Sequence, residues 1–154
     1  MGIVYTEITL KNAIDVGNCD RGLITEQEIR QMTIQVIVDT GARTLVINEE
    51  VRQALGLELK GTKDARLANN AIETVALADP VEVHWKNREM TCRPWVVSGA
   101  GEVLLGAIPL EDMDLIVDPA NLAVIGAHGD KEMGILCSCA PGNQDSSFTF
   151  EAAP

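Results

Sequence analysis

Aromatic residues are scarce: two Trp, one Tyr and two Phe, 3% of 154 residues. A core must therefore be built from Val, Ile, Leu, Ala and Met, and a hydrophobic content of 46% is enough for one. Basic residues are outnumbered, 12 against 23 acidic ones. The resulting net charge of −11 disfavours nucleic acid and anionic membrane surfaces as partners, since both are polyanions. No apolar run is long enough to span a bilayer. No basic stretch followed by an apolar one opens the chain, so no secretory signal is expected. There are two histidines, His84 and His128, too few for the His-rich motif of a metal-dependent hydrolase. The cysteines, Cys19, Cys92, Cys137 and Cys139, have neither the spacing of a disulfide framework nor that of a tetrahedral zinc site. Reduced thiols in a cytoplasmic protein are expected, with no cofactor and no metal.

What is present is mostly strand and turn. The opening MGIVYT matches the short pattern for N-myristoylation at Gly2. The same stretch alternates as a strand, with Val4, Thr6, Ile8 and Leu10 on one face, and that reading is kept. A polar stretch with two glycines follows. Thr25 and Glu28 have capping-box spacing, but no apolar helical pattern succeeds them, and a turn fits equally well. Alternation resumes from Thr33 to Val38, and a further strand is expected at Thr44 to Ile47. Asn48 can cap a short helix, EEVRQAL, with Glu49 and Glu50 in its first turn and Gly56 closing it. VEVHW and REMTC flank Lys86-Asn87 as a hairpin, with His84 a lone rim residue and Trp85 and Trp95 packing groups. DLIVDPANLAVIG reads as another hairpin. Length and pattern together predict one domain over residues 1–126 and a polar, mobile tail over 127–154.

Two stretches break the strand rule. In VIVDTGARTLVI, Asp39, Thr40 and Gly41 interrupt an apolar strand, although Asp and Gly are poor strand formers. Leu104-Leu105-Gly106 ends a second apolar strand, where Gly allows close backbone approach. Such local violations concentrate at functional sites.

Asp39-Thr40-Gly41-Ala42 after an apolar strand, with Leu104-Leu105-Gly106-Ala107 downstream, resembles the retropepsin-type (clan AA) aspartic proteases. The phrase LLGAIPLEDMDLIVDP is similar to small prokaryotic members. The resemblance covers roughly Val4 to Ile125. It implies an all-β, retropepsin-like acid-protease barrel with one or two short helices, active as a homodimer. It implies a peptide or protein substrate and peptide-bond hydrolysis by an Asp39 dyad. Two carboxylates about 3 Å apart cannot both ionise and so share one proton. The ionised one is the general base on water; the other donates to the scissile carbonyl. The chain has one D-T-G, so the second aspartate must come from a second subunit. In the family Thr40 bonds across the two-fold axis and Gly41 exposes backbone to the carboxylates. Ala42, Leu104, Leu105 and Gly106 support the loop from beneath.

The resemblance also implies a hairpin flap over the substrate. Chain order places it at Arg66 to Val75, with Ala68, Asn69, Asn70 and Ala71 at the tip. Relatives often carry Asp-Gly there; Asn still tolerates the left-handed conformation. Residues 12–30 read as an insertion in the first hairpin. The first strand begins too early to leave room for the family's N-terminal interface strand, so the dimer is expected to rest on Leu122 to Ile125. Two other readings stand beside the enzyme: a non-catalytic dimer module that binds extended peptides, and an ordinary turn with a solvated Asp39.

Overall fold

The computed structural model describes residues 2–133. Cys137, Cys139 and residues 134–154 of the expected tail lie outside that range. Strand β1 (Val4–Asn12) pairs antiparallel with β2 (Gln31–Val38) in unbroken register from Val4↔Val38 to Lys11↔Gln31. Val4, Ile8, Leu10 and Val36 turn into the core. Thr9 and Thr33 face outward and join hydroxyls at 2.8 Å.

Between these strands lie a helix, α1 (Ala13–Asp20), and a 3₁₀ turn at Glu26–Glu28. The 3₁₀ turn falls where the sequence fitted a turn. Helix α1 was not expected: AIDVGNCD has weak apolar periodicity. Its start is set by Asn12, whose side chain accepts from the amides of Ile14 and Asp15. Buried Asp15 fastens the excursion, accepting from Arg30 N, Nε and Nη2 at 3.0, 2.8 and 2.8 Å. Hydrogen bonding from the Arg30 guanidinium holds the Asp15 carboxyl below its ordinary range.

The chain continues through β3 (Val46–Asn48) and α2 (Glu49–Ala54), which Asn48 caps by accepting from Val51 N at 2.9 Å. A long hairpin follows, β4 (Leu59–Arg66) and β5 (Ile72–Ala78), then the hairpin β6 (Val81–Trp85) and β7 (Arg88–Cys92). After β8 (Trp95–Val97) come β9 (Leu104–Leu105) and α3 (Ala107–Asp112), then the hairpin β10 (Leu115–Asp118) and β11 (Ala123–Gly126). The helices therefore number three among the described residues, where the sequence suggested one or two.

Nine strands form one sheet in the order β4-β5-β8-β3-β9-β2-β1-β6-β7, and β10 and β11 form a second, two-stranded one. The fold is all-β, as expected, and curls as an open half-barrel with free edges at β4 and β7. Its core is aliphatic, with Ile8, Leu10, Leu45, Ile47, Leu55, Leu57, Leu105 and Met113 almost fully buried. Trp85 closes one side, donating from Nε1 to Thr6 Oγ1 at 2.9 Å.

The most deeply buried charged side chain among the described residues is basic. Arg88, 1% exposed, donates from Nη1 to the carbonyls of Met113 and Asp114, and from Nη2 to that of Gly129. Asp114 in turn accepts from Met133 N at 3.1 Å and pairs with His128 Nδ1 at 2.8 Å. Bonding to His128 lowers its carboxyl below the ordinary value. Residues 127–133 are thus tied back onto the sheet.

Candidate active site

The site is built where β9 inserts between the two strands that flank the D-T-G. It runs parallel to β2 and antiparallel to β3, with Ile37↔Leu104, Val38↔Leu105 and Val46↔Leu104 as partners. The ladder extends into the loop, since Asp39 N donates to Leu105 O at 3.0 Å. The chain then turns tightly: Ala42 N donates to Asp39 O at 3.1 Å, and Gly41 N donates to Asp39 Oδ1 at 2.9 Å. The second bond fixes the carboxylate, not merely the backbone. The loop's exit is held from α3, where Ala107 N donates to Ala42 O at 2.9 Å and Ile108 N to Arg43 O at 3.0 Å.

Gly106 explains the second broken strand. A Cβ there would lie 2.4 Å from Thr44 O, 2.6 Å from Ala42 O and 2.7 Å from Thr44 N, all backbone atoms. Only a residue without a side chain lets the two segments cross this closely. The structure thus brings Asp39, Thr40, Gly41, Ala42, Leu104, Leu105 and Gly106 into one assembly, although the two motifs are more than sixty residues apart in sequence.

Asp39 is half buried, whereas Thr40 and Gly41 are exposed. A cavity of about 530 Å³ opens beside them, walled by Ile3, Val4, Ile37, Val38, Val117, Pro119 and Leu122. Among all its lining residues Asp39 carries the sole ionisable side chain. The contribution to this wall of β10, through Val117, and of the turn after it, through Pro119 and Leu122, was not read from the sequence. Leu122 is held at φ 49°, a left-handed conformation rare for leucine, and sits against Gly2. No residue type signals such a placement in advance.

The β4–β5 hairpin carries its tip at Leu67 to Ala71. Leu67 N donates to Ala71 O at 2.8 Å, and Asn70, at φ 64°, donates from N to Leu67 O at 2.9 Å. Asn69 Oδ1 accepts from Ala71 N at 3.0 Å. The tip is exposed, and Ala68, Asn69, Asn70 and Ala71 are not among the residues that line the cavity at Asp39. A single chain therefore assembles the aspartate loop and projects the hairpin without joining them.

An aspartate loop clamped by a glycine-ended strand, on an open β half-barrel, defines the aspartic-protease class of fold. The sequence family described as gag-polyprotein putative aspartyl protease matches residues 25–124, and the chain belongs to that family. A search of curated proteins finds no match. Among solved structures, the chain is similar to the retroviral protease-like domain of Ddi1 from Leishmania major. That match has a TM-score of 0.49 and 11% identity, over 80% of this chain and 87% of that one. It is also similar to EIAV protease complexed with the inhibitor HBY-793, with a TM-score of 0.46 and 18% identity, over 72% and 88%. A retropepsin-like aspartic protease from Rickettsia conorii gives a TM-score of 0.41 and 21% identity, over 77% and 89%. No helix among the described residues is long and apolar enough to cross a membrane.

Proposed function

We propose that this protein is an aspartic endopeptidase whose catalytic dyad consists of Asp39 from each of two identical subunits. The observation that carries the reading is one carboxylate, held by Gly41 N while the Asp39 backbone N donates to Leu105 O, as the sole ionisable group on a mostly apolar cavity wall. A single carboxylate can activate water but has no acid partner; a two-fold axis through the exposed Thr40-Gly41 turn supplies one. The ionised member takes a proton from water, the water attacks the scissile carbonyl, and the protonated member first donates to that carbonyl oxygen. Proton return to the leaving amine closes the cycle without a metal or a covalent intermediate.

The surface beside the turn suits a second copy. Ile3 and Leu122, which line the cavity at Asp39, and Tyr5, the strand partner of Ile37, are large, apolar and more than 40% exposed. Burial of such surface between subunits stabilises the pair, and Thr40 would bond across the axis. The β4–β5 hairpin is the flap, with Ala68 to Ala71 closing over an extended peptide held through main-chain hydrogen bonds. Free Cys19 and Cys92 accord with a reducing, cytoplasmic setting.

Incubation with an unbiased peptide library, read by mass spectrometry, tests this reading. The protein should cut internal peptide bonds, and Asp39→Asn should abolish cutting while leaving the fold intact, because an amide cannot be the general base. Cleavage undiminished in Asp39→Asn would refute the proposal. Peptide binding without cleavage by the unmodified protein would leave a peptide-binding dimer in its place.

A further inference from the structure

The outward face of β1, β6 and β7 holds a cluster unrelated to the aspartate loop. Val81, Val83 and Trp85 of β6 are buried, so Glu82 and His84 project together from the opposite face. Glu89 of β7 is the direct cross-strand partner of His84. His84 Nε2 lies 2.9 Å from Glu82 Oε1, and its Nδ1 lies 3.5 Å from Glu89 Oε2. One donor atom from each of the three residues falls within 4.8 Å of the other two. The Glu82 and His84 side chains are only 19% and 23% exposed, so the sheet fixes them; that of Glu89, 70% exposed, is free to swing.

The charge around the cluster is unbalanced. Lys86, at the hairpin turn, lies over the Trp85 ring with Nζ 4.6 Å from its centroid. Lys11 is the register partner of Glu82 in β1, yet it forms no ion pair with it. Arg88 points into the core. Among the described residues the ion-pair partner of both carboxylates is His84 alone. Two carboxylates thus face at most one imidazolium in a partly desolvated place, and a dication offsets that excess.

We propose that Glu82, His84 and Glu89 form a binding site for a divalent transition metal. One imidazole nitrogen and two carboxylates form a mixed N,O donor set of the kind Zn²⁺ accepts. Ligand distances of about 2.0–2.2 Å place donor atoms roughly 3–3.5 Å apart in such a site. Glu82 and His84 already stand near that separation, and rotation of Glu89 completes the set. Binding to one ring nitrogen requires that nitrogen to be unprotonated, so metal uptake releases a proton from a doubly protonated ring. Water fills the remaining positions on the solvent side. None of the three residues lines the cavity at Asp39, so the site is independent of the peptidase reading.

Calorimetric titration of the chelator-treated full chain with ZnCl₂ at pH 7.5 tests the proposal. The unmodified protein should bind with saturation. His84→Gln and Glu89→Gln, both surface changes, should each weaken one equivalent by more than about ten-fold. His128→Gln should not weaken that equivalent, and zinc held by groups other than Glu82, His84 and Glu89 survives in His84→Gln and Glu89→Gln. In NMR spectra the His84 ring signals should move with the first equivalent. Identical titrations for the unmodified protein, His84→Gln and Glu89→Gln would overturn the site. So would an absence of zinc binding up to about 1 mM, where affinity falls to only about 4 kcal/mol; the cluster would then be an imidazolium bridging two carboxylates.

Discussion

Replacing Gly106 by alanine adds one methyl group where two backbone segments cross. Gly106 has φ −89° and ψ −173°, which alanine adopts without strain, so the whole penalty is steric. The new Cβ meets Thr44 O at 2.4 Å and Ala42 O at 2.6 Å, against a floor near 3.0 Å for real contacts. The loop must therefore recede by roughly half an ångström or more. It cannot do so without stretching the 2.9 Å bond from Ala107 N to Ala42 O. Overpacking of this kind costs about 1–3 kcal/mol, and a loosened backbone bond adds about 1 kcal/mol. The expected loss is about 3 kcal/mol, or roughly 6–12 °C in Tm for a chain of this size. Gly17 is the matched control. It lies inside α1 with nothing within 4 Å of the added methyl, so Gly17→Ala should gain about 0.5–1 kcal/mol. Urea unfolding followed by circular dichroism, at one protein concentration, reads both. Gly106→Ala within about 0.5 kcal/mol of the parent would refute the reasoning, since an unremarkable surface change behaves that way.

Two further outcomes follow from titrating groups. The Asp15 carboxyl is lowered in the folded state by Arg30, so its stabilising contribution is complete above the unfolded value and is lost as pH falls through the folded one. Asp15→Asn should therefore cost about 1–3 kcal/mol at pH 7, and its deficit should shrink below about pH 4; urea midpoints showing a pH-independent deficit would contradict this. Burial pushes the Cys92 thiol up to about 11, leaving about a thousandth of it as thiolate at pH 8. Iodoacetamide at that pH should spare Cys92 in the native protein and label it in urea, as mapped by mass spectrometry; rapid native labelling would show that the side chain is not desolvated.

Strands with one buried face announced themselves. Val4, Ile8 and Leu10, and Ile34, Val36 and Val38, follow a period of two because a pleated strand turns alternate side chains inward. The hairpin turns at Lys86-Asn87 and Asp118 to Asn121 were equally legible from their turn-forming residues. The join between Asp39 and Gly106 was legible only through the resemblance of the two motifs, since spacing does not say which distant strands become neighbours. Helix α1 escaped notice because Asn12 and the Asp15–Arg30 contact hold it, rather than an apolar stripe. Arg88 reads as an ordinary charged strand residue; its burial depends on carbonyls at Met113, Asp114 and Gly129 that only the fold brings to it. The Leu122 wall of the cavity was hidden for the same reason. A left-handed leucine is imposed by its hairpin, not favoured by its chemistry.

Mixing subunits tests the two-chain dyad most directly. Unmodified protein and Asp39→Asn are combined in varying proportion at constant total concentration, allowed to exchange, and assayed for cleavage of one peptide. If each active site needs Asp39 from both subunits, activity follows the square of the unmodified fraction, and an equal mixture retains about one quarter. An equal mixture that retains about one half would mean that each chain acts with its own aspartate alone, and the shared dyad would be contradicted.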